Sequence, residues 1–231
     1  MNSWNIGVIG GGSWGTTVAH LLSRHQEVKL WARNSDTVNE INQDHSNQHY
    51  LPQARLSPKL SASADLQEVI EGKNLIVMAI PSQNFREVLT LGAQYIEEST
   101  PIISLSKGLE LSTGSRMTQV IKAVLPDNPC GVLTGPNLAI EIMAGFAAAS
   151  VLAIPGKSLR QQIQNVFHGS LFRVYRNHDV IGCELGGVLK NIIAIAAGMG
   201  DGQGAGDNTR SAIITRGLAE MTRLGTAMGG D

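Results

Sequence analysis

Six residues near the start of the chain, Gly10-Gly11-Gly12-Ser13-Trp14-Gly15, restrict the fold more than any other stretch. They carry the spacing G-x-G-x-x-G, follow directly on an apolar run at residues 5–9 and lead into a helical pattern at residues 14–24. In a strand–loop–helix unit each glycine has a task. Gly10 permits the tight turn, Gly12 lets a pyrophosphate approach the backbone, and Gly15 lets the helix pack close to the sheet. The helix start adds free N–H donors and the positive end of the helix dipole. The spacing alone is weak, because glycine turns are common. With a strand before it and a helix after it, it points to a dinucleotide site, the alternative being a purely structural turn.

The same alternation continues along the chain. Short, mostly continuous apolar runs at residues 28–31, 75–80, 102–105 and 131–134 are predicted as buried parallel strands. Helical patterns at residues 36–43, 64–71, 85–95 and 116–125 lie among them, and residues 45–59, polar and holding Pro52 and Pro58, read as an irregular crossover. Residues 147–154 and 171–175 read as further strands around a helix at 159–167. The predicted class is α/β: a Rossmann-type, mostly parallel sheet with helices on both faces. From about Asp179 the character changes to a long, nearly uncharged helical stretch at 180–199, a flexible glycine-rich connection at 198–206 and a helix at 208–228. Residues 1–178 are therefore expected to form the nucleotide-binding domain, and residues 179–231 part of an all-α domain.

Composition removes several classes. Lys and Arg number 18 against 19 Asp and Glu, which leaves no basic field for nucleic acid. The longest unbroken apolar stretches fall short of the roughly 18 residues that span a bilayer, so no integral membrane segment is expected. Met1 leads straight into the first strand without the pattern of a signal peptide. Cys130 and Cys183 have neither metal nor redox spacing, so they are expected to be reduced core thiols in the cytoplasm.

Four further positions carry chemistry. The second strand ends in Ala32-Arg33 where an acidic residue would favour NAD; Arg33 can pair with a 2′-phosphate or stack on adenine, so NADP is favoured over NAD, the alternative being a solvated arginine. Lys107 follows the strand at 102–105, where ligands of an open parallel sheet collect, unless it is an exposed loop lysine. Lys190 lies in an apolar helix whose only nearby charge is Glu184, with Gly186 and Gly187 allowing close packing. Desolvation requires that its ammonium find a partner or lower its pKa, as a general acid/base does; the alternative is a head that snorkels to water. Asn137, in Gly135-Pro136-Asn137, is placed to cap or open a helix and face the crevice. The six histidines show no metal spacing, and no hydrolase motif is present, so a metal-free redox enzyme fits best.

Taken in order, these motifs resemble one family: the bacterial-type NAD(P)-dependent sn-glycerol-3-phosphate dehydrogenases. The resemblance rests on Gly10–Gly15 with Ser13-Trp14, on Leu30-Trp31-Ala32-Arg33, on Ser104-Leu105-Ser106-Lys107-Gly108-Leu109-Glu110, and on residues 135–141, 185–198 and 206–218. It implies reversible reduction of dihydroxyacetone phosphate to sn-glycerol 3-phosphate, feeding glycerophospholipid synthesis, in a homodimer. It implies that Ser13, Trp14, Arg33, Lys107 and Ala139 touch the cofactor, and that Lys107, Gly135, Asn137 and Lys190 face a phosphorylated triose. Lys190 would then exchange the proton while hydride moves between nicotinamide C4 and substrate C2. Asn137 departs from the serine or threonine usual in bacterial members. Family members also continue into further helices with a Gly-Leu-Gly-Asp and a Ser-Arg-Asn segment, the latter bearing an arginine for the substrate phosphate. A chain ending at Asp231 is accordingly expected to hold an incomplete helical domain, to bind cofactor and to turn over poorly. Two rivals remain: a related two-domain dehydrogenase of another hydroxy acid or sugar, and a non-catalytic NADP-binding remnant.

Overall fold

The computed structural model describes residues 3–231. The chain opens with β1 (Asn5–Ile9), α1 (Ser13–Ser23), β2 (Glu27–Trp31) and α2 (Ser35–Asn39), the last continued by a π-helical turn at Glu40–Asp44. There follow β3 (Ser61–Ser63), α3 (Leu66–Ile70), β4 (Leu75–Met78), α4 (Phe85–Gly92) and β5 (Ile102–Ser104). Next come α5 (Met117–Val124), β6 (Cys130–Thr134), α6 (Ala139–Met143), β7 (Ala148–Ala153), α7 (Lys157–Phe167) and β8 (Phe172–Asn177). Two long helices, α8 (Val180–Gly202) and α9 (Asp207–Ala227), end the chain.

The strands form one sheet in the order β3-β2-β1-β4-β5-β6-β7-β8. All neighbours are parallel except β6 and β7, which pair antiparallel from Val132 opposite Ala153 to Thr134 opposite Val151. Alternating residues of the central strands serve opposite faces, as a pleated strand requires. Leu75 and Val77 join the core beneath α1 and α7, while Ile76 and Met78 join the core beneath α4 and α5. Burial on both faces explains why these strands read as continuous apolar runs.

The chain reverses direction across the sheet between β1 and β4, so the carboxyl ends of these strands flank an open crevice. Gly10 immediately follows β1 with φ +126, and a side chain there would strike the carbonyl of Ala79 after β4. A Cβ on Gly15 would meet the Gly10 carbonyl oxygen and the Ala79 methyl, so α1 seats tightly on this edge.

Several local expectations need correction. The edge strand β3 was not anticipated: three residues with serine at both ends carry no apolar run. Asn42 holds it, donating to the Ala62 carbonyl at 2.9 Å and accepting from the Ala62 N–H at 2.8 Å. Gly198, Gly200 and Gly202 lie inside α8 rather than in a flexible connection, and the turn is confined to residues 203–206, with Gly204 at φ +76. Helical hydrogen bonding persists because none of these glycines breaks the ladder. Helix α8 is also long and apolar enough to cross a membrane by length and composition, which the run-length reading missed because Glu184 and Lys190 interrupt it. Both of those side chains are instead joined to the sheet domain. Helix α9 packs on α8 where Gly217 admits the side chain of Ile193, while Ile192, Ile195 and Met199 on α8 are exposed.

Candidate functional site

A cleft of about 470 Å³ opens at the switch point of the sheet. Its floor is the glycine loop, and its walls come from the ends of β2 and β4. Gly12 caps α1 with extended backbone and no side-chain hydrogen bond, and the first turn of α1 carries no acidic residue. A Cβ built on Gly12 would meet nothing within 4 Å, so the loop presents bare backbone to the cleft. Open space over unshielded N–H groups fits a pyrophosphate, which needs close approach and a positive helix end. Gly10, Gly12, Ser13, Trp14 and Arg33 all line the cleft, whereas Gly15 lies behind the loop as a packing residue. The Trp14 ring also packs edge-on against Phe172, centroids 6.0 Å apart, which holds its orientation. Arg33 is exposed on the rim, and Asn34 beside it is occupied in capping α2 through the Asp36 N–H.

The crossover at residues 45–59 braces this loop. Asn47 is fully buried and its Nδ2 donates to the Gly11 carbonyl and to Thr16 Oγ1, each at 2.9 Å. Ser13 Oγ donates to the Tyr50 carbonyl at 3.3 Å, and the Ser57 N–H donates to His20 Nδ1 at 2.9 Å. Sequence reasoning passed over Asn47, because an asparagine in a polar, proline-bearing stretch looks like solvated loop. Its only signal is position, between the second and third strands.

A second group of residues gathers near the ends of β5 and β6. Lys107 Nζ donates to the Gly135 carbonyl at 3.3 Å, and Lys190 Nζ donates to the same oxygen at 3.1 Å. Lys190 thus finds a partner. The lowered pKa falls on Lys107, which is pushed down to about 8, chiefly by desolvation and then by the charge and hydrogen bonding of Lys190. Two ammoniums sharing one carbonyl keep several N–H donors for an incoming oxygen, so the pair forms an anion-seeking site.

The backbone under Lys107 is pinned from several directions. Ser106 Oγ donates to the Ile80 carbonyl at 2.5 Å, and Gln83 Nε2 donates to the Leu109 carbonyl at 2.8 Å. Arg86 grips Glu110 through two bonds of 2.7 and 2.8 Å, and Thr113 donates to the same carboxylate at 2.6 Å. These bonds hold the Glu110 carboxyl down to about 2. Gly108, at φ +131, passes over Ser82, where a side chain would clash.

Gly135 lies against β7; a Cβ there would come within 2.7 Å of the Ala149 carbonyl. Asn137 does not cap a helix. Leu138 is the N-cap of α6, and Asn137 turns back to β7, donating to the Ala149 carbonyl at 3.0 Å and accepting from Ser150 Oγ at 2.8 Å. The antiparallel neighbour β7 supplies these partners, which the local sequence around residue 137 could not reveal. Ala139 opens α6 and, like Lys107, stands outside the lining of the dinucleotide cleft. Gly187 packs as expected, with Thr134 Oγ1 only 2.7 Å from where its Cβ would stand, but Gly186 faces open space because it lies off that stripe of α8. Burial pushes the thiols of Cys130 and Cys183 up to about 11; Cys130 is buried and Cys183 half-buried.

Known proteins match this arrangement. The model of the NAD-dependent glycerol-3-phosphate dehydrogenase N-terminus fits residues 5–160, and that of the C-terminus of the same enzymes fits residues 179–231. A glycerol-3-phosphate dehydrogenase [NAD(P)+] of Sphingopyxis alaskensis is 60% identical over 225 residues, covering 97% of this chain and 68% of the relative. One from Mycobacterium avium is 46% identical over 231 residues, covering 100% of this chain and 68% of the relative. The crystal structure of glycerol-3-phosphate dehydrogenase from Coxiella burnetii superposes with a TM-score of 0.93 at 40% identity, over 99% of this chain and 70% of that one. With its glycine-loop cleft and paired lysines, the chain belongs to the NAD(P)-dependent glycerol-3-phosphate dehydrogenase family of oxidoreductases.

Proposed function

We propose that this protein reversibly reduces dihydroxyacetone phosphate to sn-glycerol 3-phosphate with NAD(P)H. One observation carries the reading: two lysine ammoniums, from a strand end and from a separate helix, converge on the Gly135 carbonyl. A triose phosphate presents an anionic phosphate and a C2 oxygen that gains negative charge during reduction. A pair of cations with spare donors suits such a ligand better than it suits a neutral sugar.

The division of labour follows the geometry. Residues 1–178 hold the cofactor, and residues 179–231 belong to the helical substrate domain, whose first helix α8 packs on the sheet domain rather than serving as a membrane anchor. Gly10, Gly12 and Ser13 cradle the pyrophosphate, and Gly15 keeps α1 close behind them. Trp14 walls the cleft, and Lys107 and Ala139 border the nicotinamide end. When bound, the cofactor supplies the two-electron reducing equivalent. Lys190 gives its proton to the C2 oxygen in reduction and takes it back in oxidation, and Lys107 orients the substrate and steadies the developing charge. Gly135 packs flush on β7, where a side chain would collide, and so holds the carbonyl on which both lysines converge; Asn137, fixed by its two bonds to β7, presents its remaining polar capacity to the substrate. Lys190→Ala is expected to lower kcat at least 100-fold while NADPH affinity changes less than two-fold. Turnover surviving within a few-fold would overturn the role.

Arg33 favours NADP, since an exposed guanidinium on the rim can pair with a 2′-phosphate and no carboxylate stands there to accept from a ribose 2′-OH. Arg33→Ala should lower the NADPH preference, read as the ratio of KM values for NADH and NADPH, and an unchanged ratio would refute it. The product's chemistry fits a cytoplasmic supply of glycerol phosphate for glycerophospholipid synthesis. The exposed apolar face of α8 and α9 favours a homodimer.

A further inference from the structure

Helix α8 carries Lys190 yet is weakly held by apolar contact: of its 23 residues only Glu184, Leu185 and Gly187 are buried. One side chain makes most of the directional bonds. Glu184 Oε1 accepts from the Thr118 N–H at 2.9 Å, and its Oε2 accepts from Arg116 Nη1 at 2.5 Å and from the Thr118 hydroxyl. Arg116 Nη1 also donates to Thr118 Oγ1 at 3.0 Å, closing a ring of three side chains at the start of α5. Arg116 and Glu184 are 8% and 7% exposed, so the ion pair is withdrawn from water.

A buried ion pair is poor evidence of stability for its own sake, because apolar residues of similar volume often serve as well. What fixed-angle bonds provide is position. Residues 184, 187 and 190 are spaced three apart and lie along one stripe of α8. They meet, in turn, the start of α5, Thr134 at the end of β6, and the Gly135 carbonyl. Six helical steps carry the chain about 9 Å from Glu184 to Lys190, and a helix carries a shift at one end to the other.

We propose that Arg116, Thr118 and Glu184 are positioning residues for the reaction, setting the depth and rotation of α8 so that the Lys190 ammonium stands beside Lys107. This rests on Lys190 being the proton-transfer group. A misplacement of about 1 Å in such a group can lower turnover roughly 100-fold.

The test uses Arg116→Met/Glu184→Met, which removes the bonds without leaving a buried charge alone, with Glu184→Gln and Lys190→Met in parallel. Four quantities are measured against the unsubstituted chain: melting temperature, NADPH dissociation constant, kcat and KM for dihydroxyacetone phosphate, and the titration of ¹³C-methylated Lys107 by NMR. The double variant is expected to bind NADPH within two-fold and to lose at least ten-fold in kcat, with Lys107 titrating higher because the charge of Lys190 has moved away. Glu184→Gln keeps an oxygen to accept from the Thr118 N–H but leaves the Arg116 guanidinium without its counter-charge, so its turnover and its Lys107 titration should both fall between those of the double variant and the unsubstituted chain. Turnover within two-fold of the unsubstituted chain, or a fall in turnover with Lys107 unmoved, overturns the proposal. If the double variant does not fold, Thr118→Val decides. It should lower kcat at least three-fold with Lys107 moving the same way, and no change in either overturns the proposal. Lys190→Met that retains turnover would instead sink the proton-transfer reading, a result distinct from either outcome.

Discussion

Protonating one buried histidine should unfasten the wall of the cofactor cleft. His20 on α1 is 6% exposed, and its Nδ1 accepts the Ser57 N–H, so the ring is held neutral with its proton on Nε2. Desolvation, and secondarily the charge of Arg24, push its pKa down to about 4 from an ordinary 6.5. Because the folded value is depressed, the unfolded chain binds the proton more readily. His20 therefore contributes stability that is complete above about 6.5 and lost as pH falls through about 4. The gap corresponds to about 3 kcal/mol at its limit. That is a large share of the roughly 5–15 kcal/mol by which a domain is stable. The assay is urea unfolding between pH 7.5 and 4, comparing the chain with His20→Asn, whose amide oxygen can accept from Ser57 but cannot titrate. The unsubstituted chain should lose about 1–3 kcal/mol more than the variant across this range. Parallel pH dependences in the two proteins would refute the reasoning. Since Ser57 belongs to the crossover that carries Asn47 and Tyr50, NADPH affinity should weaken more in the unsubstituted chain than in His20→Asn as pH falls toward about 4, where the folded histidine takes its proton.

Two other outcomes follow from bonds already described. Lys107, held down to about 8, is cationic below that value and increasingly neutral above it. Affinity for the anionic substrate should decline as pH rises through about 8, a decline that Lys107→Met abolishes along with most of the affinity; no decline above pH 8 in the unsubstituted chain would exclude Lys107 from substrate binding. Asn47→Ala deletes one hydrogen bond to the glycine loop at Gly11 and one to Thr16 on α1, a loss of about 1–3 kcal/mol. NADPH titration should show affinity about ten-fold weaker, and unchanged affinity would mean that the loop holds its shape without the crossover.

Much of this protein is legible in sequence because the deciding physics is local. The glycine loop is a run of six residues between its own strand and helix, so the turn at Gly10 and the close seating at Gly15 could be read directly, although the carbonyl and methyl of Ala79 that enforce them come from beyond β4. Alternation of apolar runs likewise foretold the parallel sheet, since strands buried on both faces have little choice of composition. Lys190 stood out for a related reason: a charge in an apolar helix has to be accounted for. The sequence could not say how, because its partner, the Gly135 carbonyl, is backbone from another element.

What only tertiary structure decided involves groups far apart in the chain. Strand direction at β7 depends on pairing across the sheet, and it is this strand that takes both ends of the Asn137 amide. Asn47 came to brace the glycine loop only when the crossover folded onto Gly11 and Thr16. Glu184, in sequence merely the one charge near Lys190, acquired Arg116 and Thr118 across 68 and 66 positions. The sequence by itself determined the class of fold and the strand–glycine loop–helix unit, because these are written in backbone freedom and hydrophobic period. Long-range packing decided which polar groups meet, because a hydrogen bond depends on distance and angle in space, and no spacing along the chain encodes those.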